Sequence, residues 1–150
     1  MADLITPDLV DLDLTATERG EATKSLAQRL QAAGRVTDLD QFLADVRARE
    51  AQMPTGIEGG IGIPHCRSEH VIIPSVAFGR SGAGIDYGSE DGPADLIFLI
   101  AAPAGGDAAH MQILAALARR LVHASFRDAL REAKDPQTVV DIFDREVLSR

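Results

Sequence analysis

The sequence predicts an α/β fold in which a mixed sheet is covered by helices on both faces. Strand-like segments alternate with helix-like ones along the whole chain. DLIFLIAAP, residues 95–103, is apolar without alternation, as a strand buried on both faces must be. Residues 107–122 are amphipathic at helical spacing and so carry a side to lay against a sheet.

Each element has its own local signal. LVDLDL (9–14) alternates apolar and acidic residues, the period of a strand. EATKSLAQRLQAAG (21–34) reads as a helix of roughly four turns. Its apolar face is Ala22, Leu26, Ala27, Leu30 and Ala33, and Gly34 suits the position just past its end. Asp38 opens a second helix, DLDQFLADVRARE, and Gln41 three residues on completes a capping-box pattern. The glycine-rich segment GGIGIPHCRSEH (59–70) reads as strand–turn–strand, with His65 where the first strand stops. IIPSVAFGR (72–80) is a further strand, joined to 95–103 by a loop or hairpin, GIDYGSEDGP. DAAHMQILAALARRLV (107–122) is a helix with Asp107 placed to cap it, and SFRDALREA is another. DPQTVVDIFDREVL closes the chain with Asp135 as N-cap and Pro136 at the first helical position.

Composition narrows the function. A chain of 150 residues, 45% hydrophobic and 25% charged, is one ordinary domain able to bury a core. With no Trp and one Tyr, that core rests on Leu, Ile, Val and Ala. A net charge of −8 argues against nucleic acid, since little here replaces the counterions of a phosphate backbone. One cysteine excludes an internal disulfide and fits a reducing compartment. The start MADLITPDLVDLDL lacks the basic and apolar regions of a signal peptide, and no apolar run is long enough to span a bilayer. A soluble cytoplasmic domain is expected, either free or as one piece of a longer chain.

The residues able to carry chemistry are few. His65 follows Pro64, which fixes φ, and Gly62, which leaves the backbone uncrowded, so its ring can be presented. A neutral imidazole is a competent nucleophile near pH 7. Spacing alone slightly favours a loop histidine that happens to follow a proline. His110 falls in the first turn of the 107–122 helix, where free N–H groups attract anions. Taken singly it is simply a surface histidine. Arg49 and Arg67 are the nearest cations in sequence and could clamp an anion bidentately, while RARE also reads as a solvated helix end. His70 and His123 read as structural or exposed. Cys66 points away from His65 on a strand, and His65-Cys66-His70 has no standard zinc spacing. GGIGIPH matches neither GxGxxG nor a P-loop.

Taken together, REAQMPTGIEGGIGIPHCR (49–67), DGPADLIFLIAAP (91–103) and HMQILAALARRL (110–121), with the opening LITPDLVDLDL, closely resemble the type 2 enzyme IIA domains of the bacterial phosphoenolpyruvate-dependent sugar phosphotransferase system, the fructose/mannitol family. The resemblance covers essentially the whole chain. It implies a mixed, mostly parallel five-stranded sheet with helices on both faces. It also implies a relay: phosphate accepted from the phosphocarrier HPr on Nε2 of His65, then passed to a cysteine of an enzyme IIB domain. On the same basis His110 would stabilise the phosphoryl group and Arg49 its charge. No metal or other cofactor is implied, and the membrane permease domain is an indirect partner only.

Gly62 stands where alanine is frequent in that family, and Cys66 where glycine is, which raises the question of redox sensitivity beside the site. Partner docking is expected on a shallow apolar rim of Ile61, Ile63 and the 103–111 loop. IPHCRS and DGPADLIFLIAAP look fructose-type, so fructose uptake is preferred over mannitol. The alternatives are a regulatory, nitrogen-type enzyme IIA or accessory switch module, and a metal-dependent hydrolase built on His65, His110 and Cys66.

Overall fold

The computed structural model describes residues 4–52, 56–57, 59–90, 92–105 and 109–147, with the backbone alone at 109–111, 113 and 114. Two long antiparallel strands form its centre, β5 (Ser75–Ile85) and β6 (Ala94–Pro103), in register from Ser75 opposite Ala101 to Arg80 opposite Leu96. Beside β5 lies β1 (Val10–Asp11), in parallel. Beside β6, also in parallel, lie first β3 (Ile61–Gly62) and then β4 (His65–Ser68). β2 (Gly56–Ile57) pairs antiparallel with β3 and completes the sheet on that side. β3 and β4 run as one line along β6, so the predicted mixed sheet of five strands is present with one of them interrupted.

Helices α1 (Arg19–Ala32), α2 (Leu39–Gln52), α3 (Ala109–Leu121), α4 (Ala124–Glu132) and α5 (Pro136–Glu146) supply the outer layers. Strand alternation shows which face each covers. Phe78 and Phe98 are opposite each other in register, with ring centroids 5.0 Å apart, and Phe98 lies 6.2 Å from Phe143 of α5. Gly79 faces the other way, and a Cβ added there would meet Leu14 and Leu26 of α1. Helices therefore cover both faces, as predicted. Arg80 shares the α5 face and donates to the carbonyls of Leu130, Arg131 and Ala133, satisfying acceptors that the end of α4 leaves open.

Local chemistry accounts for the helix ends. The Asp135 carboxylate accepts from both the N–H and the hydroxyl of Thr138, each at 2.8 Å, with Pro136 at the first helical position. Gly34 takes a φ of +77° where α1 ends. Asp38 accepts from the Gln41 N–H at 3.1 Å, but the Gln41 amide donates forward to Asp45, so the capping box is only half formed. Asp107 lies outside the described residues. LVDLDL shortens to the two residues of β1, because the Asp11 carboxylate takes the Asp13 N–H at 3.0 Å and turns the chain.

Two buried groups matter for the site. Tyr87, in the turn after β5, is fully buried, and its carbonyl accepts from the Gly56 N–H at 2.8 Å. Its ring lies over Gly62, where an added Cβ would come within 2.8 Å of it. Cys66 is 9% exposed, and burial, aided by the Asp45 carboxylate, pushes its thiol from 9.0 up to about 12. A proton held so firmly leaves no thiolate at neutral pH, so Cys66 is a packing residue.

Gly62→Ala forces the methyl against the Tyr87 ring and is expected to cost about 1–3 kcal/mol in urea unfolding. Combined with Tyr87→Val it should cost less than the sum of the two single changes, whereas strict additivity would show that the ring moves aside freely. Between pH 9 and about 12 the folded chain holds a proton on Cys66 that the unfolded chain has lost. Stability from this group is thus intact below pH 9 and falls as pH climbs toward 12. Cys66→Ala should flatten that part of the curve, and native Cys66 should resist thiol reagents at pH 8 until urea exposes it.

Candidate active site

His65 opens β4 rather than ending a strand at a turn, which corrects the strand–turn–strand reading. β3 stops at Gly62, and Ile63 and Pro64 interrupt the line before it resumes. Proline has no N–H to give, but its carbonyl still accepts from the Ile100 N–H at 3.0 Å. The chain therefore loosens at one point without changing direction, and His65 lands opposite Ile100. Alternation then puts His65 and Arg67 on one face of β4 and Cys66 and Ser68 on the other.

The His65 ring is fixed by its own chain. Nδ1 lies 2.8 Å from the carbonyl oxygen of Ile63, and a carbonyl can only accept, so Nδ1–H is the donor. In the neutral ring the lone pair is then on Nε2. His65 is half-buried in the wall of a groove of about 800 Å³ between β4 and α2.

The opposite wall is one stripe of α2: Gln41, Asp45, Ala48, Arg49 and Gln52 recur at helical spacing. Their neighbours Phe42, Leu43 and Val46 turn inward to the core, which fixes the rotation of the helix. Arg49 is half-exposed and, among the described residues, has neither an ion pair nor a hydrogen-bond partner. A guanidinium in a groove with an imidazole whose Nε2 lone pair is free is suited to holding an anion beside it.

Other predicted residues divide clearly. The backbone of His110 is in the first turn of α3, as expected, and its side chain lies outside the described residues. The strand before α3 ends beside β4, with Pro103 opposite Ser68 and the Ala104 N–H donating to the Ser68 carbonyl at 3.1 Å. Ile61 is corrected: it is a member of the core and 0% exposed, so no partner can reach it. Ile63, past the end of β2, is half-buried and stays at the surface. His70 lines the groove with Nε2 3.6 Å from Glu69, and its carbonyl accepts from Thr37. His123 is exposed ahead of α4 and makes no side-chain cap. Among the described residues no three His, Cys, Asp or Glu side chains converge as metal ligands would.

Sequence reasoning missed Asp45 and Ser68. The Ser68 hydroxyl donates to Asp45 Oδ2 at 2.7 Å and joins β4 to α2 across 23 positions of sequence. Asp45 shares the helical spacing of Arg49, which was the one available signal.

Comparison with known proteins gives the family and the fold. Residues 3–146 match the family model described as "Phosphoenolpyruvate-dependent sugar phosphotransferase system, EIIA 2". A fructose-specific EIIA component from Haloferax volcanii is 43% identical over 140 residues, covering 92% of this chain and 91% of the relative. A fructose-specific EIIABC component from Bacillus subtilis is 35% identical over 97% of this chain, which spans 23% of that longer protein. Among solved structures, the nitrogen regulatory protein IIA-Ntr from Neisseria meningitidis superposes with a TM-score of 0.85 at 24% identity, covering 93% of this chain and 95% of the other. The mannitol enzyme IIA of Escherichia coli, solved in complex with its phosphorylated enzyme IIB, gives a TM-score of 0.79 at 22% identity, covering 95% and 99%. The chain belongs to the type 2 enzyme IIA family of the phosphoenolpyruvate-dependent sugar phosphotransferase system.

Proposed function

We propose that this phosphotransferase component carries its phosphoryl group on Nε2 of His65, taking it from the phosphocarrier HPr and passing it to a cysteine of an enzyme IIB domain during fructose uptake. The observation that carries the assignment is the Nδ1–H bond to the Ile63 carbonyl, which leaves Nε2 as the nucleophile in a groove shared with Arg49, a cation with no partner among the described residues.

In the first transfer the Nε2 lone pair attacks phosphorus, and the N–P bond to the donor histidine breaks as the new one forms. The electron pair of the old bond returns to the donor ring. In the second, a cysteine thiolate forms an S–P bond and the pair of the N–P bond returns to Nε2. Nδ1–H remains bonded to Ile63 throughout, so the phosphorylated ring is held as a cation and leaves readily. Arg49, and His110 from the N-terminal turn of α3, offset the charge spread over the phosphoryl oxygens.

Fructose is favoured by the 43% identical Haloferax relative. The nitrogen regulatory neighbour, at 24% identity, shares the fold and does not favour a regulatory reading. HPr and a cytoplasmic location follow from the same reading. Among the described residues no helix is long and apolar enough to cross a membrane. The family match over residues 3–146 fits a single IIA unit for the whole chain, which in relatives such as the Bacillus protein is part of a longer permease. The docking rim is redrawn without Ile61, around Ile63 and the exposed Ala104 and Gly105 that follow β6.

Phosphoenolpyruvate, enzyme I and HPr should add one acid-labile phosphoryl group, read by intact mass. His65→Ala should abolish it and His110→Ala should retain it at least in part. Label remaining on His65→Ala would refute the assignment. Arg49→Ala should slow transfer roughly a hundredfold, with Arg49→Lys intermediate. Ala104→Glu should slow transfer from HPr while leaving the unfolding midpoint in place; an unchanged rate would remove Ala104 from the rim.

A further inference from the structure

We propose that Ser68 and Asp45 are a positioning pair that holds Arg49 in register with His65, an inference resting on the phosphotransfer reading above. Among the described residues β4 pairs with β6 alone, and it shares a groove with α2. Apolar contact between a helix and a strand is non-directional and does not stop one sliding along the other. A hydrogen bond does, and the Ser68 hydroxyl supplies one to Asp45 at 2.7 Å.

The geometry is that of a clamp closed at one end. From Asp45 to Arg49 is one turn of α2, about 6 Å. From Ser68 back to His65 is three residues of strand, about 10 Å. Both arms reach from the bond into the same groove, since Asp45, Ser68, Arg49 and His65 all line it. Shifting the bond shifts the guanidinium relative to the imidazole. Ser68 also ties in the third part of the site. Its carbonyl accepts from the Ala104 N–H at 3.1 Å, where the chain leaves β6 for α3.

Every polar atom of the pair is engaged, as a fixed junction requires. Ser68 is 3% exposed, and its oxygen accepts from the His70 N–H at 3.1 Å while donating to Asp45. The other Asp45 oxygen takes the Gln41 amide at 3.3 Å. A carboxylate beside a phosphate site is unfavourable by charge alone. Its oxygens are taken up by Ser68 and Gln41, which is the arrangement of a geometric role.

The test is single-turnover transfer from phospho-HPr, with thermal melts to show that each variant is folded. Ser68→Ala should slow transfer about tenfold, because small misplacements of a stabilising group are costly, and Ser68→Thr, which keeps the hydroxyl, should restore most of the rate. In an Arg49→Ala background, Ser68→Ala should cost less than about twofold, since the group it positions is gone. Asp45→Ala should also slow transfer, although loss of its charge alone would speed it, and this variant decides the matter if Ser68→Ala does not fold. A Ser68→Ala rate equal to wild type, or the same slowing with and without Arg49, overturns the pairing while leaving His65 as acceptor. Absence of label on wild type overturns both.

Discussion

Pro64 cannot donate to the ladder, yet its carbonyl keeps the bond to Ile100, and that asymmetry sets the position of everything around it. With both ladder groups present, residues 61–68 would form one uniform strand. With neither, the chain would be free to turn away as a loop. Losing the donor alone leaves a step at Ile63 and Pro64 that frees the Ile63 carbonyl to meet the ring two residues on. The His65 ring is thus fixed by a main-chain irregularity held in line by the sheet. The parallel register from His65 opposite Ile100 to Ser68 opposite Pro103 keeps it there.

A strand of four residues beside that step does two jobs on two faces. His65 and Arg67 project to one side. Cys66 and Ser68 project to the other, where Cys66 packs as an inert thiol and Ser68 joins the strand to α2. Behind β4, the antiparallel pair β5–β6 and the Phe78, Phe98 and Phe143 rings give a support that does not take part in the chemistry. The two central strands carry the fold, and the interrupted strand carries the candidate site.

Features decided within a few residues were legible in the sequence. Asp135 with Pro136, Asp38 with Gln41, and Gly34 each announce a helix boundary through their own hydrogen bonds or dihedrals, and each is found in place. The candidate histidine was legible through its segment, and Arg49 falls in the same groove. What escaped depends on distant partners. Ile61 and Ile63 have the same local pattern, and only the folded structure makes the first interior. Ser68 and Asp45 look like ordinary polar residues until the fold brings them together. Tyr87, in a polar turn, gives no sign that it will be fully buried.

That buried ring has a consequence for how such a domain changes over generations. A methyl group at position 62 and an aromatic ring from position 87 compete for one space, 2.8 Å being too short for both to stay where they are. The two positions are therefore not free to drift separately. A lineage that acquires alanine at 62 must first, or at once, shrink or redirect residue 87. One that has recruited the ring holds glycine at 62 in place for as long as the ring remains. The history of the strand that leads to the histidine is thus tied to the segment that follows β5, a strand from which β6 separates it in the sheet.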